Sequence, residues 1–211
     1  MRAEKRKTEV RKEQIATAAL RLVASQGMRA LTLDRLAGLV GLVPSAIYRH
    51  FRGKDDILKA VLELVEARFA ANVHEARKAS PSVLEALRRL LRKHMGLVME
   101  FQAIPRILFS EDVYSGNPER KDQLHRLVSG LLDALRAIFE EGQARGEIRA
   151  DLPAGSLAVM FLGLFQPSMF LWHLSGGEFD VVRQTEQSWR VFTAALEPPG
   201  GEAGNDKRQM I

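Results

Sequence analysis

The chain has 211 residues, a length that suits one or two domains with a buried core. It contains no cysteine, which excludes disulfide scaffolds, zinc fingers and thiol catalysis. The net charge of +5 is uneven: residues 1–54 carry 12 Lys and Arg against 4 Asp and Glu, and the rest carries 19 against 22. A basic first quarter indicates a polyanionic partner for that part of the chain, with a solvated basic surface as the alternative.

The first residues form a basic arm, Arg2 to Lys12, without the apolar segment of a secretory signal. We therefore expect a cytoplasmic protein. A first helix is predicted from about Thr8 to Gln26, and Gly27 ends it. Its apolar positions follow the helical period and are expected to be buried: Ile15, Ala18, Ala19, Leu22 and Val23.

Two short helices joined by a tight turn are predicted between Thr32 and Lys54. Thr32 stands at an N-cap position, ahead of apolar residues at helical spacing, namely Leu33, Leu36, Ala37 and Val40. Gly41 can adopt the left-handed conformation that ends a helix, and Pro44 suits the first turn of the next one. In that second helix Ile47 and Phe51 lie four residues apart and can pack on the first. This spacing is typical of a helix-turn-helix.

The other side chains of the second helix are small, hydroxyl-bearing or basic, a mixture that suits a DNA major groove. This stretch resembles the DNA-binding segment of the tetracycline-repressor (TetR) family of bacterial transcription regulators. The resemblance is carried by Thr32, Leu36-Ala37, Gly41-Leu42, Tyr48-Arg49-His50-Phe51, Lys54 and Leu58. It implies a helix before this segment and an all-helical ligand-binding and dimerisation domain after it.

One position departs from the family pattern. Families of this kind often have Ser or Thr as the cap of the recognition helix, and this chain has Val43. A polar cap contributes about 1 kcal/mol. Pro44 and Ser45 could offset the loss, in which case the Ser45 hydroxyl would bond to the backbone rather than to bases.

The resemblance also implies roles for individual residues. Four of them match family positions at or near DNA phosphates: Thr32, Tyr48, His50 and Lys54. The candidates for reading bases are Ser45, Ala46 and Arg49. A capping or packing role for His50 is an equal alternative, and Arg49 could instead point to solvent.

Helical periodicity continues through the body of the chain. The predicted helices are Asp55 to Lys78, Val83 to Phe101, Glu119 to Arg145, Pro153 to Leu174 and Phe179 to Leu196. The first of these links the basic segment to the body, and a short segment follows Pro105. The Gly-, Pro- and charge-rich tail from Pro198 is expected to be disordered.

The run from Leu157 to Trp172 is nearly all apolar, which raises the possibility of a membrane span. We favour a soluble protein, because the run is shorter than the roughly 20 residues of a span and contains Gln166 and Pro167. A helix that is apolar all round must be buried. We expect burial against a second subunit, together with residues of the last helix, namely Val182, Trp189 and Phe192.

The body contains no recognisable catalytic constellation. Three of its histidines, His94, His125 and His173, lack metal-ligand spacing, and the Glu111-Asp112 pair is better explained as a solvated loop. We therefore predict no enzyme activity, metal or cofactor. Methionine and aromatic residues could line an apolar effector cavity, with ordinary core packing as the alternative: Met95, Met99, Phe109, Phe165, Met169 and Trp172, with Phe101 and Met160 as further members.

Together these features predict an all-α protein of about nine helices. Residues 1–54 form a three-helix DNA-binding domain, residues 55–197 a ligand-binding and dimerisation domain, and residues 198–211 a tail. The function predicted is that of a homodimeric repressor, bound to a palindromic operator of double-stranded DNA and released by a small apolar or amphipathic effector. The alternative is a ligand-independent nucleoid or scaffold protein whose body only assembles subunits.

Overall fold

The structure is a computed structural model that describes residues 2–108, 110–111 and 117–198, with the side chains of 2–7 and 106 excepted. All regular elements in these ranges are helical, which confirms the predicted class. The helices are α1 (Arg2–Gln26), α2 (Leu33–Leu39), α3 (Pro44–Tyr48), α4 (Lys54–Lys78), α5 (Val83–Glu100), α6 (Ala103–Leu108), α7 (Pro118–Ala144), α8 (Ala154–Gly163), α9 (Gln166–Leu174) and α10 (Val181–Leu196), with a 3-10 turn at Met28–Ala30. The tail predicted beyond Pro198 lies outside the described residues.

Helix α1 begins earlier than predicted and includes the basic arm. Arg, Lys and Glu are good helix formers, so the arm extends the helix at little energetic cost. Further along α1, the Arg11 guanidinium donates to Gln14, and Glu13 accepts from Arg68 of α4 at 2.9 Å. Local propensity and a contact with α4 therefore both favour a helix where only a charged arm was expected.

The described residues form two compact units. The first contains residues from 1–74 and 92–131, and the second contains residues from 75–91 and 132–211. The predicted domain limits at residues 54, 55 and 197 stay predictions.

The first unit has one continuous core. Buried side chains of α1, α2, α3 and α4 share it with α6 and the first half of α7. Helix α6 contacts α1 directly, and its Ala103, Ile104 and Ile107 are almost completely buried. The three N-terminal helices, α1 to α3, therefore do not pack only on one another.

The core of the second unit is aromatic. Phe139 of α7 meets both Phe161 and Phe192 edge to face, with ring centroids 6.2 and 6.1 Å apart. Trp189 contacts Phe161 and Phe192 in turn. Trp189 and Phe192 are thus buried inside the subunit, and the prediction that they are buried against a second subunit was wrong. Val182 is half exposed and stays available for such a contact.

The helix predicted from Pro153 to Leu174 is broken into α8 and α9. Pro167 is the cause, because proline lacks an N–H and its ring collides with the carbonyl four residues earlier, here that of Gly163. Length and composition alone would let Ala154–Leu174 cross a membrane, so the prediction that the run is too short was wrong. A core helix of a soluble protein can pass the same test.

Candidate nucleic-acid interface

The helix-turn-helix forms as the sequence predicts. The Thr32 hydroxyl oxygen caps α2 by accepting from the Arg35 N–H at 3.4 Å. Gly41 adopts a φ of +67°, and the Leu42 N–H donates a hydrogen bond to the Ala37 carbonyl at 2.9 Å. These features end α2 and redirect the chain, so that α3 begins at Pro44.

Apolar contacts fix α3 against α2. Ile47 and Phe51 are buried, as are Leu36 and Ala37 on the facing helix. The opposite side of α3 is consequently turned away from the core. Helix α3 is only five residues long, too short to be stable in isolation, so packing against α2 sets its orientation.

The candidate DNA-contacting residues lie on α3 and directly after it, at the N-cap of α2 and at the start of α4. Tyr48 is 53% exposed, Thr32, Ser45 and Arg49 are exposed, and Ala46, His50 and Lys54 are half-buried. Among the described residues, none of the hydrogen bonds engages the Ser45 hydroxyl. The Ser45 hydroxyl is therefore not occupied by a backbone N–H, and it stays available to contact bases.

Two further residues of the helix-turn-helix segment, not predicted as DNA contacts, are exposed in the structure. Arg52 is exposed between Phe51 and Lys54, while its backbone N–H donates to the Asp56 carboxylate at 2.8 Å. Val43 is the N-cap residue of α3, and its side chain faces solvent. The signal for Arg52 was its place in the basic segment, and the signal for Val43 was the missing polar cap.

The start of α7 and the residue before it contact the start of α4, the helix that follows the recognition helix along the chain. Asp55 accepts from the Asn117 amide at 3.2 Å, and the guanidinium of Arg120 lies 3.6 Å from the same carboxylate. Gln123 donates to the Lys59 carbonyl at 3.1 Å. Since α6 contacts α1, the N-terminal helices are attached to the α6–α7 region at two separate places.

Comparison with known proteins decides the family. Residues 15–61 match the model of bacterial regulatory proteins of the tetR family, and residues 53–195 match that of the YsiA-like protein C-terminal region. The chain belongs to the TetR family. A TetR-family chain is a DNA-binding transcription regulator, as the helix-turn-helix predicted.

Relatives of this TetR-family protein match over nearly their full length. It is 24% identical over 183 residues to the fatty acid metabolism regulator protein of Bacillus subtilis, covering 87% of this chain and 94% of that protein. It is 22% identical over 192 residues to the nucleoid occlusion factor SlmA of Vibrio vulnificus, covering 91% and 98%.

Solved structures show the same fold. The transcriptional regulator FadR from Bacillus subtilis, in complex with stearoyl-CoA, has a TM-score of 0.73 at 21% identity, with 87% of this chain and 98% of that chain covered. The ketosteroid regulator KstR2 of Mycobacterium tuberculosis has a TM-score of 0.68 at 18% identity, with 89% and 95% covered. Both are named as transcriptional regulators.

The predicted effector residues of this TetR-family protein fall in both units. Met95 is buried and Met99 half-buried in the first unit, and in the second unit Phe165 and Met169 are buried and Trp172 is half-buried. Phe109 lies outside the described residues. A groove of about 430 Å³ between α4 and α7 has charged and amide walls and includes none of these residues. Their role stays a prediction.

His94 is a core residue. Its side chain is buried, and burial lowers the pKa of the imidazole to about 4 because the charged form loses its hydration. Within the described ranges, no cluster of His, Asp or Glu has the arrangement of a metal site.

Proposed function

We propose that this regulator is a repressor that binds a palindromic operator as a homodimer and releases it when an amphipathic molecule with a long apolar chain, such as a fatty acyl-CoA, is bound. The observation that carries the proposal is the accessible α3 on a basic N-terminal segment that shares its core with α4, α6 and α7. The acyl class is suggested by the Bacillus subtilis relatives, one named for fatty acid metabolism and one solved with stearoyl-CoA.

Electrostatics supplies most of the affinity in this proposal. Lys54 and Tyr48 contact phosphates, and so does the hydroxyl of Thr32, which can still donate while its oxygen caps α2. His50 lies beside them on the same segment. Ser45, Ala46 and Arg49 face base edges and supply sequence choice. Because phosphate contacts carry no sequence information, loss of Lys54 weakens all sequences alike.

Two subunits are needed to read a palindrome. Two copies of α3 must be separated by about 34 to 36 Å, or by a multiple of the helical repeat, to enter successive major grooves. An effector that favours a different placement of α6 or α7 would disturb this spacing, because α6 contacts α1 and Arg120 and Gln123 of α7 contact α4. The shift can be no larger than the difference in effector affinity between the two states.

Dimerisation through the last helices fits the surface of the second unit. Large apolar side chains of α8, α9 and α10 are exposed there, and a second subunit that covered them would remove their apolar surface from water: Val159, Met160, Phe170, Leu171, Leu174, Val182 and Val191. We also propose that the protein is cytoplasmic, as befits a regulator of transcription.

The test begins with an operator selected from random duplex DNA by the full-length protein. Fluorescence anisotropy then measures affinity for it with and without stearoyl-CoA, and with free CoA and with stearate as controls for the two halves of the molecule. We expect stearoyl-CoA to weaken operator binding at least tenfold and CoA alone to have no effect. Unchanged affinity across a panel of acyl-CoA chain lengths would refute the acyl-CoA assignment.

A second candidate is a ligand-independent nucleoid binder. It is favoured by the match to the nucleoid occlusion factor SlmA over nearly the whole chain. The same experiment separates the two functions, because such a protein would hold its DNA sites equally well with every metabolite added.

A further inference from the structure

The N-terminus of α3 carries an apolar side chain where a polar one would stabilise the helix. Val43 is the N-cap residue, with φ −72° and ψ 146°, and makes no side-chain hydrogen bond to the helix. Its side chain is 64% exposed, because the core of the first unit lies on the other side of α3. Val43 therefore contributes neither a cap nor a buried contact to the fold.

The surroundings of Val43 extend this apolar surface. Leu39, the last residue of α2, is 58% exposed and lies on the other side of the turn that Gly41 makes. The following residues, Pro44 and Ser45, are exposed as well. The turn and the first residues of α3 thus present a small, partly apolar surface beside the candidate base-reading residues.

Recognition helices place their N-terminal residues against base edges in the major groove. The C5-methyl group of thymine is the apolar group that base edges offer there, and apolar side chains read it by contact. We infer that Val43 is a specificity-determining residue that packs on the methyl group of one thymine in each operator half-site. This inference rests on the proposed operator binding. It assigns a base contact to a residue whose signal in the sequence is only the missing polar cap.

The inference is tested by removing the methyl group from the DNA. In the operator selected by the wild-type protein, each thymine is replaced in turn by deoxyuridine, symmetrically in both half-sites. Base pairing and phosphate charge stay the same, so only the methyl contact changes. Burial of one methyl group predicts about fourfold weaker binding per half-site at the symmetric position that Val43 contacts.

The matched protein variant is Val43→Ser. Serine restores a polar cap, so this variant is expected to melt at the same temperature as the wild type or higher, which excludes a folding defect. It should bind the thymine and deoxyuridine operators with equal affinity. Val43→Ala, which removes the methyl groups without restoring the cap, should show the same equality.

Three results would overturn the inference. The wild-type protein could bind its operator selectively with no deoxyuridine position affected, or Val43→Ser could retain the full deoxyuridine penalty. In both cases sequence-selective binding would persist, so the proposed function would stand while the role of Val43 fell. Absence of any sequence-selective binding would refute the proposed function and this inference together.

Discussion

The imidazole of His94 stacks on the ring of Phe69 with centroids 4.2 Å apart and planes inclined by 14°. Both side chains are buried in the core of the first unit. Burial lowers the pKa of His94 from 6.5 to about 4. The unfolded chain therefore binds one more proton than the folded chain between these pH values, and folding stability must fall as the pH drops from 6.5 towards 4.

Replacing His94 by Leu should remove this pH dependence. For the wild type, His94 is expected to contribute a loss of about 2 kcal/mol in the free energy of unfolding between pH 7 and pH 5. Urea unfolding at both pH values measures the loss, and His94→Leu should lose correspondingly less. The exposed His125, changed to Leu in the same way, controls for the removal of one imidazole. Equal losses in wild type and His94→Leu would contradict the prediction.

Gly142 of α7 allows a close approach in the second unit. A Cβ at this position would lie 2.6 Å from Cδ1 of Ile148 and 2.9 Å from Cγ1 of Val83, and both of these side chains are buried. Gly142→Ala should therefore destabilise the protein by about 1–3 kcal/mol despite the better helix propensity of alanine.

Gly130, also in α7, provides the control for this substitution. Nothing lies within 4 Å of a Cβ built there, so Gly130→Ala should be neutral or stabilise by up to about 1 kcal/mol. Denaturant midpoints of the two variants test the difference. A stabilising Gly142→Ala would show that Ile148 and Val83 can move aside freely.

Lys54 begins α4, the helix that follows the helix-turn-helix. Lys54→Ala should weaken binding to all duplex sequences by a similar factor and reduce the slope of log affinity against log salt by about one for each Lys54 that contacts a phosphate. The comparison is with Lys78→Ala, which removes the same charge at the other end of α4. An unchanged slope for Lys54→Ala would remove this residue from the phosphate contacts.

Local chemistry made much of the first unit predictable. The Thr32 cap, the left-handed Gly41 and the Pro44 start are properties of single residues, and Ile47 and Phe51 are related by one helical turn. Each of these features depends only on residues that are close together in the sequence. The helix-turn-helix, its buried side and its exposed side could therefore be derived from the sequence.

Contacts between distant residues were not predictable in this way. The stacking of His94 on Phe69 and the bonds from Asn117 and Arg120 to Asp55 join helices far apart in sequence. Helical periodicity marks which side chain is buried but not what buries it. For this reason Trp189 was correctly predicted to be buried, while the surface that covers it was not.

The burial of Trp189 also determines how dimerisation should be tested. A charge at Trp189 would disrupt the aromatic core with Phe161 and Phe192, so loss of a dimer in such a variant would say little about the interface. Phe170 of α9 is the better position, because its side chain is 63% exposed and removing it leaves this core intact.

If the proposed dimer forms through α9, Phe170→Glu should convert it into folded monomers, because a carboxylate buried in an apolar interface loses its hydration without gaining a partner. Sedimentation velocity measures the mass, and circular dichroism checks that the helices remain. Val10→Glu, which places the same charge on an exposed apolar position of α1, should leave the dimer unchanged. If Phe170→Glu sediments as an intact dimer at micromolar concentration, the exposed apolar surface of α9 is not the dimer interface, and the two recognition helices must be paired by other contacts.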